Sequence, residues 1–347
     1  MAVKTVLCGQ KLWMLHPMVE LGWSGGLVIR TQENQLIFDP DSSSVPKQGC
    51  SVFISHAHAD HFAGLKGLPA KYSTLETRRI FERVCSRSVV NSRDIHLNKR
   101  IDLGDVEITP LNAGHILGST QFLVSLPDVT ILYTGDINYL DTLTTKKAEN
   151  VECDILVVES TYGEPSYIFP DREEIYASIV EWALSQVKRE RIPVFQVYAT
   201  GKAQELVRLF NLYTNLNVTV SQKIAEVCSV YSDSNIKLDY EKIERDINED
   251  RCIRIVSGLN SLEPNKHVRA IATGWALKMN LSKATGFPLS SHADFAQLVQ
   301  FIGDCKAKVV YSFTGYNESF ASYVRRKLDV TSRPLPVIAQ KTLHQFC

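Results

Sequence analysis

Hydrophobic and polar positions in the first half of the chain predict a series of short β-strands. Apolar runs of four to seven residues, rich in Val, Ile and Leu, alternate with Gly, Asp, Asn or Pro. Runs of this length between turn residues are typical of strands, and fully apolar runs indicate strands covered on both faces. These runs lie in the segments 25–31, 35–41, 50–61, 106–114, 121–127, 129–138 and 153–163. Helical periodicity is rarer here, and it predicts one helix from Leu75 to Val90.

From about Pro170 the pattern changes to an alternation of helices and strands. The segment 171–191 has helical periodicity, with acidic residues early and basic residues late, as the helix dipole favours. Further helices are predicted at 202–216, 294–305 and 318–328, a strand followed by a turn at 193–201, and further strands at 253–258, 268–275 and 308–313. This alternation predicts a parallel α/β layer and therefore a second domain.

The composition is that of an ordinary globular protein. A chain of 347 residues can bury two cores, and 44% hydrophobic and 22% charged residues exclude a disordered or fibrous protein. Because no apolar stretch approaches the roughly 20 residues of a membrane helix and no secretory signal is recognisable, we expect a cytoplasmic protein. The eight cysteines contain no C-x-x-C pair, which argues against a zinc ribbon or a disulfide scaffold.

The sequence HAHADH is the strongest chemical signal in the chain. It places His56, His58, Asp60 and His61 directly after the apolar run SVFIS. Four polar groups within six residues cannot share one helix face, but on a loop leaving a strand they can surround two points in space. Imidazole nitrogens and carboxylate oxygens suit zinc, and also manganese or iron. A merely solvated loop would leave four polar groups beside a core strand, so we predict a metal site.

Two later segments complete the predicted ligand set. His115 lies in NAGHILGS and Asp136 in YTGDIN, both in loops after predicted strands. We expect two metals, one bound by His56, His58 and His115 and the other by Asp60 and His61, with Asp136 bridging both. Two metals about 3.5–4 Å apart can hold a hydroxide and lower the pKa of bound water towards neutrality. Asp39, in LIFDPD, is predicted to orient the ligand imidazoles.

HAHADH, GHILGS and YTGD resemble motifs of the metallo-β-lactamase superfamily, whose fold is a four-layer αβ/βα sandwich. ESTYG (159–163), PVFQVYATGKAQEL (193–206) and PLSSHADF (288–295) are similar to signature blocks of the β-CASP nuclease branch, and ATGW (272–275) fits the same branch. The resemblance extends over about 25–328. It implies an α/β fold with a metallo-β-lactamase domain at 1–165 and 285–347 and an inserted β-CASP cap at 166–284.

The resemblance implies a metal-dependent nuclease that hydrolyses phosphodiester bonds of DNA or RNA through a metal-bound hydroxide. Its cofactor would be one or two Zn²⁺ ions, with Mn²⁺ as the other candidate, and Asp60 would be both ligand and catalytic residue. Glu159 matches the branch's first acidic motif and His292 its second motif. A carboxylate holding an imidazolium in this way would protonate the departing oxygen. Gly201 and Lys202 resemble the block that binds backbone phosphate, and a helix N-terminus with a lysine suits an anion.

One departure from the family pattern concerns the second metal. RNA-cleaving members usually carry a third histidine in a V-H-G-type segment near the C-terminus. The matching stretch here, 310–316, has Thr314 at that position. A hydroxyl is a poor replacement for imidazole, so the second metal should bind more weakly. Artemis-type DNA nucleases also lack this histidine, whereas ESTYG and TGKAQEL are nearer the RNA-processing branch, so the choice between DNA and RNA stays open.

The predicted partner is nucleic acid, with single strands favoured, no membrane is expected, and an oligomer is compatible with the sequence. The net charge of zero neither supports nor excludes such a partner, and basic stretches at 78–100, 188–191 and 325–327 would contact phosphates only. The aromatic residues show no base-stacking platform. Two alternatives stay open: a small-molecule metallohydrolase of the thiolesterase or lactonase type, and a non-catalytic nucleic-acid-binding subunit of a processing complex.

Overall fold

A computed structural model describes residues 14–16, 19–43, 49–243, 251–258, 263 and 265–338. In this part of the chain the α-helices are α1 (Leu75–Cys85), α2 (Arg172–Lys188), α3 (Lys202–Tyr213), α4 (Gln222–Asp233), α5 (Phe295–Cys305) and α6 (Asn317–Lys327). Short 3₁₀ helices lie at Phe62–Lys66 and Gly274–Leu277. None of the helices within these ranges has the length and apolar character needed to cross a bilayer. The cytoplasmic location stays a prediction.

Twenty strands are described, and they form three sheets. In chain order they are β1 (Met14–His16), β2 (Val19–Trp23), β3 (Leu27–Arg30), β4 (Gln35–Phe38), β5 (Cys50–Phe53), β6 (Ala70–Thr74), β7 (Ser92–Ile95), β8 (Ile101–Asp102), β9 (Glu107–Asn112), β10 (Thr120–Leu126), β11 (Val129–Tyr133), β12 (Ile155–Glu159), β13 (Ile192–Gln196), β14 (Asn217–Val220), β15 (Glu241–Lys242), β16 (Cys252–Val256), β17 (His267–Ala272), β18 (Thr285–Phe287), β19 (Val309–Phe313) and β20 (Thr331–Pro334).

Two seven-stranded sheets, ordered β1-β2-β3-β4-β5-β6-β7 and β20-β19-β12-β11-β10-β9-β8, pack face to face. Strand periodicity decides which side chains meet. Phe53 of β5 and Tyr133 of β11 point into the core between the sheets, whereas their neighbours Val52 and Leu132 point outward. The outward residues of the first sheet pack against Phe81 of α1, and those of the second pack against α5 and α6. The resulting order of helix, sheet, sheet and helix confirms the predicted αβ/βα sandwich.

The third sheet, ordered β15-β14-β16-β13-β17-β18, is parallel throughout, as the alternation of helices and strands predicted. The helices α2, α3 and α4 share its hydrophobic core. Helix α4 also packs against the sandwich, since Val227 and Tyr231 contact Ile80 of α1 and Ala57. This contact fixes the third sheet above the HAHADH loop. The domain bounds at 166 and 284 stay a prediction.

Candidate metal centre

The candidate ligands follow the ends of strands in both sheets of the sandwich. His56 and His58 come after β5, His115 comes after β9, and Asp136 comes after β11. The sandwich brings these loops together at one edge, so that donor atoms of all four side chains lie within 4.8 Å of one another. The predicted first ligand set therefore converges in space.

The distances within this group are those expected around one shared metal ion. His58 Nδ1 lies 3.1 Å from His56 Nε2 and 3.0 Å from His115 Nε2. Asp136 Oδ2 lies 3.5 Å from His56 Nε2 and 3.8 Å from His115 Nε2. Tetrahedral zinc with bonds of about 2.0–2.1 Å separates its ligand atoms by roughly 3.3–3.4 Å. The three imidazoles and the carboxylate thus fit a metal without rearrangement of the backbone.

The remaining predicted ligands lie beside Asp136. Its Oδ2 atom is 3.4 Å from His61 Nε2, and that nitrogen is 3.7 Å from Asp60 Oδ2. Asp136 therefore contacts both ligand groups, as a bridging carboxylate must. The Asp60 side chain is 80% exposed at the mouth of the site, whereas the other ligands are enclosed. A second metal held there would have fewer enclosed ligands than the first.

In His56, His58 and His115, the ring nitrogen that points away from the candidate metal position forms a hydrogen bond. These bonds select one tautomer for each ring and aim the other nitrogen at the shared point. The partners are Ser55 Oγ for His56 Nδ1 at 2.9 Å, the Thr200 carbonyl for His58 Nε2 at 3.3 Å and the Ser291 carbonyl for His115 Nδ1 at 2.7 Å.

Asp39 lies behind the site, as a carboxylate that orients ligands should. It is buried and accepts hydrogen bonds from the Ser55 backbone at 2.7 Å, the Ser55 hydroxyl at 2.5 Å and Tyr133 Oη at 3.0 Å. Its Oδ2 atom is 2.9 Å from His61 Nδ1. Asp39 thus contacts His61 directly and reaches His56 through Ser55.

Burial sets the charge of these groups. It lowers the pKa of His56 and His115 well below the ordinary value and lowers the pKa of His58 to about 4. The three rings are therefore neutral at pH 7 and present lone pairs, which a metal requires. Burial would also lower the pKa of His61, but the carboxylates of Asp136 and Asp39 raise it well above its ordinary value.

Glu159 and His292 form a buried carboxylate–imidazole pair beside Asp136. Glu159 ends β12, is fully buried, and lies 2.9 and 3.0 Å from His292 Nδ1 through its two oxygens. The Ile137 backbone also donates to Glu159 at 2.7 Å. The negative charges of Glu159 and Asp136 raise the pKa of His292, although burial of the ring acts in the opposite direction. Its Nε2 lies 3.9 Å from Asp136 Oδ2, so this edge of the ring faces the candidate metal ligands.

Gly201 and Lys202 begin α3 at the same pocket. Gly201 has φ +87°, and a Cβ there would lie 2.4 Å from Ile116 Cγ2, so only glycine allows the helix to start this close to the His115 loop. Lys202 is 7% exposed and lines the pocket. Burial lowers its pKa to about 8 although the Glu205 carboxylate opposes the shift.

One cavity of about 280 Å³ is lined by seven of the side chains described above: His58, Asp60, His61, His115, Asp136, Lys202 and His292. Thr314, the residue at the family's histidine position, also lines it. Sequence reasoning missed two aromatic residues at this cavity, Tyr198 and Trp275. Their positions within PVFQVYATG and ATGW, blocks already linked to the site, were the available signal.

The family model described as the beta-lactamase superfamily domain matches residues 21–191. The chain is 24% identical to a probable DNA ligase of Opitutus terrae over 79% of this chain and 28% of that protein. It is 28% identical to an RNase J-like protein of Methanocaldococcus jannaschii over 60% of this chain and 55% of that protein. The chain thus spans about a quarter to a half of these relatives' length. A solved structure of a protein of unknown function from Enterococcus faecalis shares the fold, with a TM-score of 0.63, 14% identity, and 92% and 97% of the two chains covered.

Proposed function

Because this chain belongs to the metallo-β-lactamase superfamily, we propose that it is a metal-dependent nuclease that hydrolyses phosphodiester bonds of DNA or RNA. One observation supports this most strongly. Three members of the donor group, His58, His115 and Asp136, line one pocket with His292, and Glu159 holds His292 from behind. A ligand set alone would serve many hydrolases, whereas an imidazole held by a carboxylate beside it supplies a proton donor for an alkoxide leaving group.

The metal would be Zn²⁺ or Mn²⁺, held first by the three neutral histidines and Asp136. When bound, such an ion supplies a Lewis acid and lowers the pKa of coordinated water towards 7. Other side chains of the protein would position the ligands and the substrate. Asp39 and Ser55 fix the ligand rings, and Lys202 places a cation against a phosphate oxygen.

His292 is the proposed general acid. Glu159 holds its Nδ1–H and keeps the ring protonated, so the proton on Nε2 is available to the departing oxygen of the substrate. After departure the imidazole is neutral and the Glu159 carboxylate still holds Nδ1–H, which allows water to restore the proton. Single strands are the proposed form of substrate, since a cavity of about 280 Å³ admits one backbone segment and not a duplex.

A cleavage panel tests this function. The purified protein, loaded with Zn²⁺ or Mn²⁺, is incubated with end-labelled single- and double-stranded DNA and RNA, and metal content is measured on the same sample. We expect cleavage of single strands and none after EDTA treatment. Intact oligonucleotides with all metals, together with hydrolysis of a thiolester or lactone, would instead support a small-molecule hydrolase. Tight binding of oligonucleotides without cleavage would support a non-catalytic subunit.

Lys202 makes the reaction sensitive to alkaline pH. Its cation is present below its pKa of about 8 and is lost above it, and metal cations in the same pocket would lower this pKa further. We therefore expect kcat/KM to fall as pH rises through about 8. Lys202→Arg, which stays charged, should move this fall to higher pH, and Lys202→Met should lower kcat/KM roughly 10- to 100-fold. Lys223→Met on the exposed face of α4 is the matched control. An unchanged pH profile in Lys202→Arg would contradict the assignment.

Thr314 limits the second metal. This β-branched residue has φ +57° at the pocket mouth, a conformation that histidine and asparagine adopt more readily. Thr314→His should therefore raise bound metal from nearer one to nearer two ions per protein, measured by elemental analysis after dialysis. Thr314→Asn is the control, because it relieves the same strain, worth about 1 kcal/mol, without adding an imidazole. Equal metal content in the two variants would show that the position is not a ligand site.

A further inference from the structure

Two exposed aromatic side chains stand at the mouth of the pocket. Tyr198 is 68% exposed and Trp275 is 38% exposed, and both line the cavity that contains the candidate metal ligands. Large aromatic side chains gain stability from burial. Exposed rings at the rim of a polar cavity therefore indicate a surface that a ligand covers.

The two rings lie at opposite ends of a row of ring contacts that passes through the candidate metal centre. Tyr198 begins the row next to His58, and Trp275 ends it beyond His292. The distances between ring centroids are 6.4 Å for Tyr198–His58, 4.9 Å for His58–His115, 4.4 Å for His115–His292, 5.9 Å for His292–Tyr162 and 4.7 Å for Tyr162–Trp275. Tyr198 thus contacts a candidate metal ligand, whereas Trp275 is linked to the candidate general acid through Tyr162.

Trp275 is held rigidly from behind. Its ring packs on Tyr162 at 4.7 Å and meets the edge of Tyr167 at 5.3 Å and 85°. Gly274 allows this packing, because a Cβ there would lie 2.5 Å from Tyr162 Oη. The 3₁₀ turn Gly274–Leu277 therefore presents the indole with little freedom left to lose on binding.

The cavity that both rings line is small, and most of its lining residues have polar side chains. Histidine, threonine, serine and lysine side chains supply most of its lining. At about 280 Å³ it is slightly smaller than the roughly 300–1,000 Å³ typical of ligand pockets. A phosphodiester and its sugar would fill such a space, so the bases on either side of the scissile bond would lie towards its rim, where Tyr198 and Trp275 are exposed.

We propose that Tyr198 and Trp275 are nucleobase-stacking platforms on either side of the scissile phosphodiester, which restrict the site to unpaired DNA or RNA. This inference rests on the proposed nuclease function. Stacking tolerates every base, because each base has a π face. Bases in a duplex are already stacked on their neighbours and cannot receive a side-chain ring. The pair therefore selects single strands without reading their sequence.

The test measures binding separately from cleavage. Fluorescence anisotropy of a fluorescein-labelled 12-nucleotide dT strand is recorded in EDTA, beside a strand of equal length whose central nucleotides are abasic. We expect Tyr198→Ala and Trp275→Ala each to weaken binding of the dT strand roughly 5- to 150-fold, the range for one stacked base. On the abasic strand both variants should bind as the wild type does. Tyr213→Ala, which removes a ring 54% exposed at the far end of α3, is the control.

Trp275→Phe keeps a ring on Tyr162 and should retain most of the binding, which guards against a folding defect in Trp275→Ala. Equal weakening on both strands, or no weakening on either, would overturn the stacking platforms. The cleavage panel reports on the proposed function independently. Base-dependent binding without cleavage would contradict the proposed nuclease function and support the stacking platforms. Cleavage with no effect of either variant on binding would support the nuclease function and contradict the stacking platforms.

Discussion

Replacing His58 or Asp136 with alanine is expected to abolish phosphodiester cleavage. His58 Nδ1 lies within 3.1 Å of two other candidate ligand nitrogens, and Asp136 Oδ2 lies within 4 Å of four imidazoles. Loss of either side chain removes one of the donor atoms that surround the candidate metal position. A metal supplies several kcal/mol of transition-state stabilisation, so we expect cleavage rates to fall at least roughly 10³-fold. Rates on end-labelled single strands and metal content per protein measure the effect.

Controls must show that cleavage activity is lost because the metal is lost and not because the variant unfolds. The matched control is His96→Ala, since His96 is an exposed histidine in the loop after β7. It should keep wild-type metal content and rate. His58→Ala should keep its melting temperature within a few degrees and should still bind oligonucleotides in EDTA. If His58→Ala retained both its metal and its activity, the ligand assignment would be wrong.

The strands that position the site could be predicted from the sequence because their apolar runs are local signals. The segments 50–61, 129–138 and 153–163 contain β5, β11 and β12, and in each case the run ends shortly before or at a candidate ligand or acid. The boundaries were less accurate. The predicted strand 268–275 ends at Ala272, because Gly274 lies in a turn that packs closely on other segments. The strand and turn predicted at 193–201 are present, with the strand ending at Gln196.

What the sequence alone did not reveal depends on contacts between distant segments. Helix α4 was not predicted, although its packing against α1 fixes the third sheet above the HAHADH loop. Tyr198 and Trp275 are 77 residues apart by their numbers in the chain, so no local pattern marks them as a pair. The ligand histidines were easier to find because three of them lie within six residues. Their order along the chain did not reveal which nitrogen each ring presents, since that depends on Ser55, Thr200 and Ser291.

Replacing His292 with alanine is expected to lower kcat roughly 10²- to 10⁴-fold on DNA or RNA, the range for loss of a general acid. The ring lies 2.9 Å from the Glu159 carboxylate, which raises the pKa of His292 against the effect of burial. Without the ring, an alkoxide must leave unprotonated. Glu159→Gln should give a smaller loss of the same kind, because the ring remains but the charge that keeps it protonated is gone.

Comparing substrates with different leaving groups shows whether His292 acts as a general acid, as a metal ligand or as a structural residue. A 4-nitrophenyl phosphodiester releases a phenolate that needs no proton, so His292→Ala and Glu159→Gln should cleave it within about tenfold of the wild-type rate. His58→Ala should fail on both substrates, since every phosphodiester needs the metal. Metal content must stay at the wild-type level in both variants, because the backbone carbonyl of Ser291 holds His115 next to the substituted position. An equal loss on both substrates, with the metal retained, would mean that His292 positions the substrate and donates no proton.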